Sequence, residues 1–328
     1  MRTLKRLILL VLVGVILFAG WFAYQVNKPV RLPAVPYEFS IEPGSSLKSV
    51  AKQLADAGVL HDVWSFVLLS RAMGFASSLK AGDYEITEST SLLQLLERIT
   101  KGDINQSEIR FIEGWTFAQL RQTLDAHPAV RHDTTNLSGR EILQLIGASE
   151  IAGEGLFFPD TYFFARGSSD TAILRRAYHA MQNHLNIAWA ERAANLPLAD
   201  PYQALILASI VEKETGKESD RTMVAGVFVN RLRLSMLLQT DPTVIYGLGG
   251  RFDGNLRKKD LLTDQEYNTY TRRGLPPTPI AMPGLASIQA ALNPAKTDAL
   301  YFVAKGKGES HFSNNLAEHN RAVSKYQK

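Results

Sequence analysis

The chain has 328 residues, of which 45% are hydrophobic and 21% are charged, so it has enough apolar residues for two or three packed modules and is not disordered. Its 36 basic and 32 acidic residues give a formal net charge of +4 and are scattered along the chain. Apart from a short basic run at 257–259 there is no basic stripe, so nucleic acid is not expected as a partner. The absence of cysteine fits an oxidising compartment.

An uncharged apolar run over residues 7–24 predicts a transmembrane helix, because at about 1.5 Å per residue it crosses most of a hydrocarbon core. A cleaved signal peptide is the alternative, but the run is longer than a usual signal core and no small-residue cleavage site closes it. The basic residues before it predict a cytoplasmic tail at 1–6 and an extracytoplasmic remainder. Residues 25–36, with three prolines, are predicted to form a linker.

The segment 37–104 predicts a small βααβ module followed by a further helix. The strand "YEFSI" leads through a turn, capped by Ser45 or Ser46, into the helix "LKSVAKQLADAGV". A second helix, "VWSFVLLSRAMG", and a strand in "LKAGDYEI" follow. This order loosely resembles a lysin-motif module, which binds the N-acetylated sugars of peptidoglycan and chitin. A small α+β spacer without sugar contact is the alternative.

The segment 105–328 predicts a larger α+β domain, so the fold class of the whole chain is α+β. Its aromatic stretch "EGLFFPDTYFFARGSSD" is interpreted as core, with Asp160 and Tyr162 reaching a groove. Two helices follow, over 171–194 and in "PYQALILASIVEKETG". The remainder is predicted to alternate short strands and loops before a final helix. Its dense Gly and Pro content suits loops that shape a cleft.

Several classes of chemistry lack support in this sequence. The seven histidines are dispersed without a zinc motif and no thiol is present, so no metal is expected. Phosphate-loop and dinucleotide fingerprints are missing, so no cofactor is expected. No G-x-S-x-G motif supports a serine nucleophile. Carboxylates remain as the candidates for catalysis.

The stretch "ASIVEKETG" ends an apolar helix in two acids, Glu212 and Glu214. Successive helical residues advance by about 100°, so these two acids point to nearly opposite sides and cannot act as a pair. Glu214 continues an apolar stripe, whereas Glu212 follows a smaller and more polar wall. A carboxyl group against apolar side chains has a raised pKa, as a general acid at neutral pH requires. The alternative is that both acids are solvated residues of a helix end.

A series of motifs then gives a resemblance that covers nearly the whole chain. In chain order the motifs are "EGLFFPDTY", "ASIVEKET", "VAGVFVNRL", "LQTDPTVIYG", "YNTYTRRGLPP", "PIAMPG", "ALNPAKTDALYFV" and "HFSNNLAEHN". Together with the N-terminal apolar segment, they resemble the endolytic murein transglycosylase family, MltG or YceG-like. The resemblance implies a membrane-anchored periplasmic enzyme that cleaves glycan strands internally, with the second acid of E-K-E, Glu214, as the catalytic residue.

In a lytic transglycosylase one carboxyl group suffices, because the nucleophile is the C6 hydroxyl of the substrate's own muramic acid. The transition state still needs polar groups around it. "LQTDPT" and "YNTY" supply the candidates for substrate binding: Gln239, Thr240, Asp241, Tyr246 and Asn268. For Asp241, an Asx-turn before Pro242 is the structural alternative. Asn230 and Arg231 are predicted to brace the fold.

The apolar segment and the family resemblance together imply a single-pass inner-membrane protein with its catalytic domain, residues 105–328, in the periplasm. Its expected function is lytic cleavage of nascent glycan strands to 1,6-anhydro ends, which would end chain elongation. The expected partners are peptidoglycan strands, the inner membrane and peptidoglycan synthases. Two rival functions remain: a hydrolytic muramidase in which an acid such as Asp241 activates water, and a non-catalytic glycan-binding scaffold.

Overall fold

The computed structural model describes residues 2–30, 32, 37–41, 44–60, 62–76, 78–86, 90–102, 106–306 and 308–327. It divides into two compact units. Unit 1 comprises Met1–Ser107 and Phe163–Gly167, and unit 2 comprises Glu108–Tyr162 and Ser168–Lys328. The mixture of helices and strands, with an apolar helix at the N-terminus, confirms the coarse fold class.

The first helix, α1, covers Arg2–Asn27. Within it, Leu9–Asn27 is the one described stretch that is long and apolar enough to cross a membrane. The helix extends beyond both ends of the predicted segment 7–24, and its C-terminal extension is possible because the first proline comes only at Pro29. Just after it, the Val30 N–H donates to the Thr90 carbonyl at 2.8 Å. The rest of the predicted linker, residues 31 and 33–36, lies outside the described residues.

The remaining elements of unit 1 follow the order βααβα. They are β1 (Tyr37–Ile41), α2 (Leu47–Asp56), α3 (Val63–Ala72), β2 (Gly82–Ile86) and α4 (Leu92–Lys101). The two strands pair antiparallel, with Tyr37 opposite Ile86. The three helices are capped by Ser46, Asp62 and Ser91. Each of these side chains accepts a hydrogen bond from the backbone N–H three residues later, which satisfies a donor that the first turn leaves unpaired.

One apolar cluster holds unit 1 together. Both strands, α2, α3, α4 and the last turn of α1 contribute buried side chains to it. Fully buried members include Phe66 from α3 and Leu96 and Ile99 from α4. The helical spacing of these apolar residues selects which face of each helix turns inward.

Unit 2 begins with short strands and helices. The elements are β3 (Gln106–Arg110), α5 (Phe117–Asp125), β4 (Val130–Arg131), α6 (Gly139–Ile146), β5 (Thr161–Ala165) and β6 (Ser168–Ser169). Strand β3 pairs with β5, and both strands run across the sequence boundary between the units. Strands β4 and β6 pair in parallel.

The second half of unit 2 is mainly helical and ends in a hairpin. Its helices are α7 (Asp170–Ala190), α8 (Pro201–Glu214), α9 (Glu218–Arg233), α10 (Asp241–Leu248), α11 (Lys258–Leu262) and α12 (Leu285–Leu292). The hairpin of β7 (Tyr301–Gly306) and β8 (Glu309–Ser313) precedes α13 (Leu316–Tyr326). Helix α8 is central, because α7, α9, α10 and α12 all pack against it.

Two expectations from the sequence are wrong in this unit. Helices α10 and α12 occupy segments predicted as strands and loops. The β-branched residues of α10 favour a strand in general, but Pro242 in the first turn suits a helix start. Tyr162 does not reach a groove: it is 5% exposed, and its hydroxyl donates to the Phe158 carbonyl at 2.7 Å. The core interpretation of the aromatic stretch is confirmed by the burial of Phe157 and Phe158.

Candidate active site

Helix α8 carries the two acids singled out from the sequence at its C-terminal end. Asp200 caps its start by accepting from the Gln203 N–H at 2.8 Å, and Pro201 occupies the first turn. Residues 204–211 are all buried. The apolar run therefore stays inside unit 2 until the last turn, where Glu212 and Glu214 are half-buried.

Glu212 accepts hydrogen bonds from the start of a neighbouring helix, α12. Its Oε2 accepts hydrogen bonds from the Gly284 N–H at 3.1 Å and from the Ser287 hydroxyl at 2.7 Å. Gly284 is the N-cap of α12 and has no side chain to satisfy the first turn, so the Glu212 carboxylate takes over that task. Glu212 therefore joins the end of α8 to the start of α12.

Glu214 faces a different set of groups. Its Oε1 accepts a short hydrogen bond from the Thr240 hydroxyl. Burial, helped by the negative charge of Asp241, raises the pKa of Glu214 to about 7, although the Thr240 hydrogen bond and the positive charge of Arg231 oppose the shift. The carboxyl group can therefore hold a proton near neutral pH, as the apolar stripe predicts.

The Thr240 hydroxyl is held in place by the loop before α10. The buried Arg231 guanidinium donates to the carbonyls of Leu300 at 2.7 Å and Leu238 at 2.9 Å. The Thr240 N–H donates to the Thr269 hydroxyl at 3.1 Å. Arg231 therefore braces the fold, as predicted, and also contributes a positive charge near Glu214. These contacts position the loop that presents the Thr240 hydroxyl to Glu214.

Asp241 and Tyr270 form a second pair near Glu214. Asp241 is exposed in the first turn of α10, and its Oδ1 accepts from the Tyr270 hydroxyl at 2.5 Å. Burial and this hydrogen bond raise the pKa of Tyr270, and the charge of Glu214 raises it further. Tyr270 was not among the predicted residues, although it belongs to the "YNTY" motif. Its position beside Asp241 could not be inferred from spacing.

Gln239 and Asn268 occupy contrasting positions. Gln239 is exposed beside the site, with a positive φ of 50° and its N–H donating to the Thr269 carbonyl at 3.0 Å. Asn268 is fully buried: its amide donates to the carbonyls of Thr263 at 2.7 Å and Leu261 at 3.1 Å, and its Oδ1 accepts from the Tyr270 N–H at 2.9 Å. Asn268 thus shapes the loop that presents Tyr270.

A second carboxyl group with a raised pKa, that of Glu154, lies at the other end of α10. Its Oε1 accepts from the Phe117 N–H and its Oε2 from the Tyr246 hydroxyl, both at 3.0 Å. Burial raises the pKa of Glu154 to about 7. The predicted residue Tyr246 also packs edge-on against Tyr267, with ring centroids 4.9 Å apart. The acid that opens "EGLFFPDTY" was not identified as a site residue from the sequence, because the burial that raises its pKa is tertiary.

One group of potential metal ligands occurs among the described residues. Ligand atoms of Asp125, His132 and Asp170 lie within 4.8 Å of one another. Asp170 is buried, and its Oδ2 already accepts from the backbone N–H of Thr134 at 2.9 Å and from the Thr134 hydroxyl at 2.7 Å. These contacts give Asp170 a role in joining the turn after β4 to the start of α7.

The surroundings of Glu214 make it a candidate acid–base group on a domain of mixed helix and sheet: its carboxyl group has a raised pKa, a hydroxyl donor and a nearby positive charge. Comparison with known proteins identifies the family of this chain. The model of the YceG-like family matches residues 39–325, and the chain belongs to that family.

Relatives and a solved structure support the assignment. A protein of Bacillus subtilis (strain 168) named endolytic murein transglycosylase is 32% identical over 341 residues, which cover 95% of this chain and 91% of the relative. A protein of the same name from Streptococcus pneumoniae (strain ATCC BAA-255 / R6) is 27% identical over 97% of this chain and 64% of its own length. A crystal structure of a YceG-like protein from Listeria monocytogenes matches with a TM-score of 0.54 and 29% identity, covering 87% of this chain and 98% of that chain.

Proposed function

We propose that this protein is a lytic transglycosylase that cleaves peptidoglycan glycan strands internally, between N-acetylmuramic acid and N-acetylglucosamine, with Glu214 as the catalytic residue. The observation that carries the proposal is the Glu214 carboxyl group, whose pKa burial raises to about 7. Membership of the YceG-like family and relatives named endolytic murein transglycosylase supply the substrate class.

The proposed reaction uses one carboxyl group twice. Protonated Glu214 gives its proton to the glycosidic oxygen as the bond from C1 to that oxygen breaks, which releases the N-acetylglucosamine hydroxyl. The resulting carboxylate then takes the proton of the muramic C6 hydroxyl while that oxygen attacks C1. The product carries a 1,6-anhydro ring, and Glu214 is protonated again. Neither water nor a metal takes part in this balance.

The surrounding groups fit both halves of this cycle. When Glu214 is ionised, the Thr240 hydroxyl and the positive charge of Arg231 stabilise the carboxylate. No described residue donates to the Glu214 Oε2, so we assign to this oxygen the proton that is passed to the substrate. We assign substrate contact to the exposed Gln239 and Asp241 and to the half-buried Tyr246, and we assign loop positioning to Asn268.

Mass spectrometry of the products distinguishes this proposal from its hydrolytic rival. Purified full-length protein should convert uncrosslinked glycan strands to fragments with 1,6-anhydro-N-acetylmuramic acid ends. Fragments with reducing N-acetylmuramic acid ends would instead show hydrolysis by water, with Asp241 as the candidate base. Binding of strands without any fragment after prolonged incubation would favour a non-catalytic scaffold.

The proposal also includes a location. The apolar helix α1 is compatible with a single-pass anchor, and we place its N-terminus in the cytoplasm and residues 105–328 in the periplasm. An anchor in the inner membrane keeps the enzyme near nascent strands, where cleavage would end their elongation, and near peptidoglycan synthases. Retention of α1 in the mature, membrane-bound protein tests the anchor, and an N-terminus processed near Gly20 would contradict it.

For residues 37–104 we propose contact with glycan, as in a lysin-motif module. The support is the βααβ order of β1, α2, α3 and β2. Removal of 37–104 with α1 retained should raise KM for glycan strands more than it lowers kcat, because remote contacts mainly supply uniform binding. An unchanged KM would make this segment a spacer.

A further inference from the structure

The end of α1 is built into the core of unit 1. Val26 is 4% exposed and belongs to the apolar cluster of that unit, and Phe22 packs against the same cluster. Pro29 forms a bridge with Ser91, immediately before α4. The helix that we propose as the membrane anchor is therefore joined to the following module through its own last turns. The depth of α1 in the membrane therefore fixes the distance between the module and the membrane.

A run of aromatic rings leads from α1 to α3. The ring centroids of Phe18 and Trp21 are 6.0 Å apart, and those of Phe18 and Phe22 are 6.1 Å apart. The Phe22 ring then meets Trp64, in the first turn of α3, edge-on at 6.4 Å. Although Trp64 touches Phe22, it is 54% exposed. A large apolar ring is thus left open beside a helix that is suited to lipid.

The outward face of α3 continues this apolar surface. Trp64, Leu68 and Arg71 are spaced i, i+4 and i+7, so they share one side of the helix, opposite the buried Phe66. Met73, just after the helix, is 41% exposed. Among the described residues from 37 to 107, Trp64 and Met73 are the exposed large hydrophobic side chains. Met73 comes nine residues after Trp64, on the opposite side of the helix at about 100° per residue, so of these two side chains Trp64 belongs to the face described here.

The position of this face along α1 points to its partner. Phe22 comes sixteen residues after Arg6, which is about 24 Å of helix at 1.5 Å per residue, and a hydrocarbon core is about 30 Å thick. A helix that places Arg6 at one surface therefore brings Phe22 to within about 6 Å of the opposite edge of the core. Trp64, in contact with Phe22, then lies at the membrane–water interface, where tryptophan is enriched.

We propose that the α3 face of Trp64, Leu68 and Arg71 lies in the interfacial layer of the bilayer that α1 crosses. The ring of Trp64 and the side chain of Leu68 enter the acyl boundary, and the Arg71 guanidinium binds lipid phosphate. This inference rests on the proposed anchoring by α1. It gives unit 1 a second attachment to the membrane, so that its orientation on the bilayer is set and does not depend on a free linker.

Depth-dependent fluorescence quenching tests the proposal. The full-length protein would be prepared with a single tryptophan, either Trp64 or Trp21, by changing the others to Phe, and reconstituted into vesicles of phosphatidylethanolamine and phosphatidylglycerol. Some of the lipids would carry quenchers at shallow or deep positions. Insertion into the vesicles should shift the fluorescence emission of the Trp64 protein to shorter wavelength. Shallow quenchers should reduce its emission intensity more than deep quenchers do.

The Trp21 protein separates the two proposals. Quenching of Trp21 without quenching of Trp64 would overturn the proposal that α3 lies in the interfacial layer, whereas the proposal that α1 is an anchor would stand. Absence of quenching at both positions would show that α1 does not enter the bilayer. Quenching of Trp64 only when a second protein is added would assign this face to a protein partner and would also overturn the proposal.

A second measurement does not depend on the tryptophan substitutions. Because the natural chain has no cysteine, single-cysteine variants can be spin-labelled without background. A label on Arg71→Cys should be more accessible to oxygen than to a water-soluble nickel complex, and Lys52→Cys, an exposed position on α2, should show the reverse. Equal, water-like accessibility at both positions in membrane-inserted protein would overturn the proposal.

Discussion

Glu214 and Glu154 are two carboxyl groups of unit 2 with the same raised pKa, about 7, and the same main cause, burial. They differ in how their oxygens are used. Glu154 is 6% exposed, and each of its oxygens accepts from a protein donor, Phe117 N–H or the Tyr246 hydroxyl. Glu214 is half-buried, and its one described donor is Thr240. A raised pKa therefore does not by itself mark a catalytic acid; an oxygen left open to substrate is also needed.

Replacing each acid by its amide gives the largest expected contrast. Glu214→Gln should reduce cleavage by about 10²–10⁴-fold, the contribution of general acid–base catalysis, with binding of glycan strands retained. Glu154→Gln should cleave normally, because its amide can still accept from the Phe117 N–H and donate to the Tyr246 oxygen. Glu212→Gln serves as the matched control on α8, because it faces α12. Initial rates from product analysis measure the effect, and a dead Glu154→Gln or Glu212→Gln beside an active Glu214→Gln would reverse the assignment.

The pH dependence of cleavage sharpens the role of Glu214. In the proposed reaction its protonated form starts the cycle, and its pKa in the folded protein is about 7. At pH values below this pKa, titration of Glu214 should leave the rate of cleavage unchanged. At pH values above it, the rate should fall by about tenfold per pH unit. Initial rates measured on both sides of neutral pH check this. A rate that rises as the pH passes through that pKa would mean that the ionised carboxyl group begins the reaction.

The stability of the protein should depend on the protonation of Glu154, although its activity should not. Between the ordinary pKa of 4.5 and about 7, the folded protein holds a proton on Glu154 that the unfolded chain has lost. The free energy of unfolding therefore falls as pH rises through this window, by on the order of 1–3 kcal/mol from this group. Urea unfolding of Glu154→Gln should show a smaller fall than the natural chain. An identical pH profile in both proteins would contradict the raised pKa.

The smallest expected effect concerns the charge beside Glu214. Asp241 raises the pKa of Glu214, so Asp241→Asn should move the alkaline limb of the rate profile to lower pH, by up to about one unit. Asparagine keeps an acceptor for the Tyr270 hydroxyl, so the loop should retain its shape. Asp253→Asn, an exposed acid paired with Arg257, provides the control. Loss of cleavage at every pH in Asp241→Asn would instead favour a direct role for this acid in the chemistry.

Local features of the sequence determined much of this protein. The apolar run over residues 7–24 identified α1, and the alternation and helical spacing of residues 37–101 predicted the order of β1, α2, α3, β2 and α4. The contrast between Glu212 and Glu214 was also local, since residues two positions apart on a helix point to nearly opposite sides. These features depend on neighbours within one or two turns, which the sequence displays directly.

Contacts between distant segments were decided only by the tertiary structure. Thr240 meets Glu214 across 26 residues, and Tyr246 meets Glu154 across 92. Whether a polar side chain faces a cleft or the interior depends on how its loop packs, which is why Asn268 turned inward while Gln239 stayed exposed. Burial, and with it the pKa of a carboxyl group, is the sum of surroundings brought together from many parts of the chain, so no single stretch of sequence contains it.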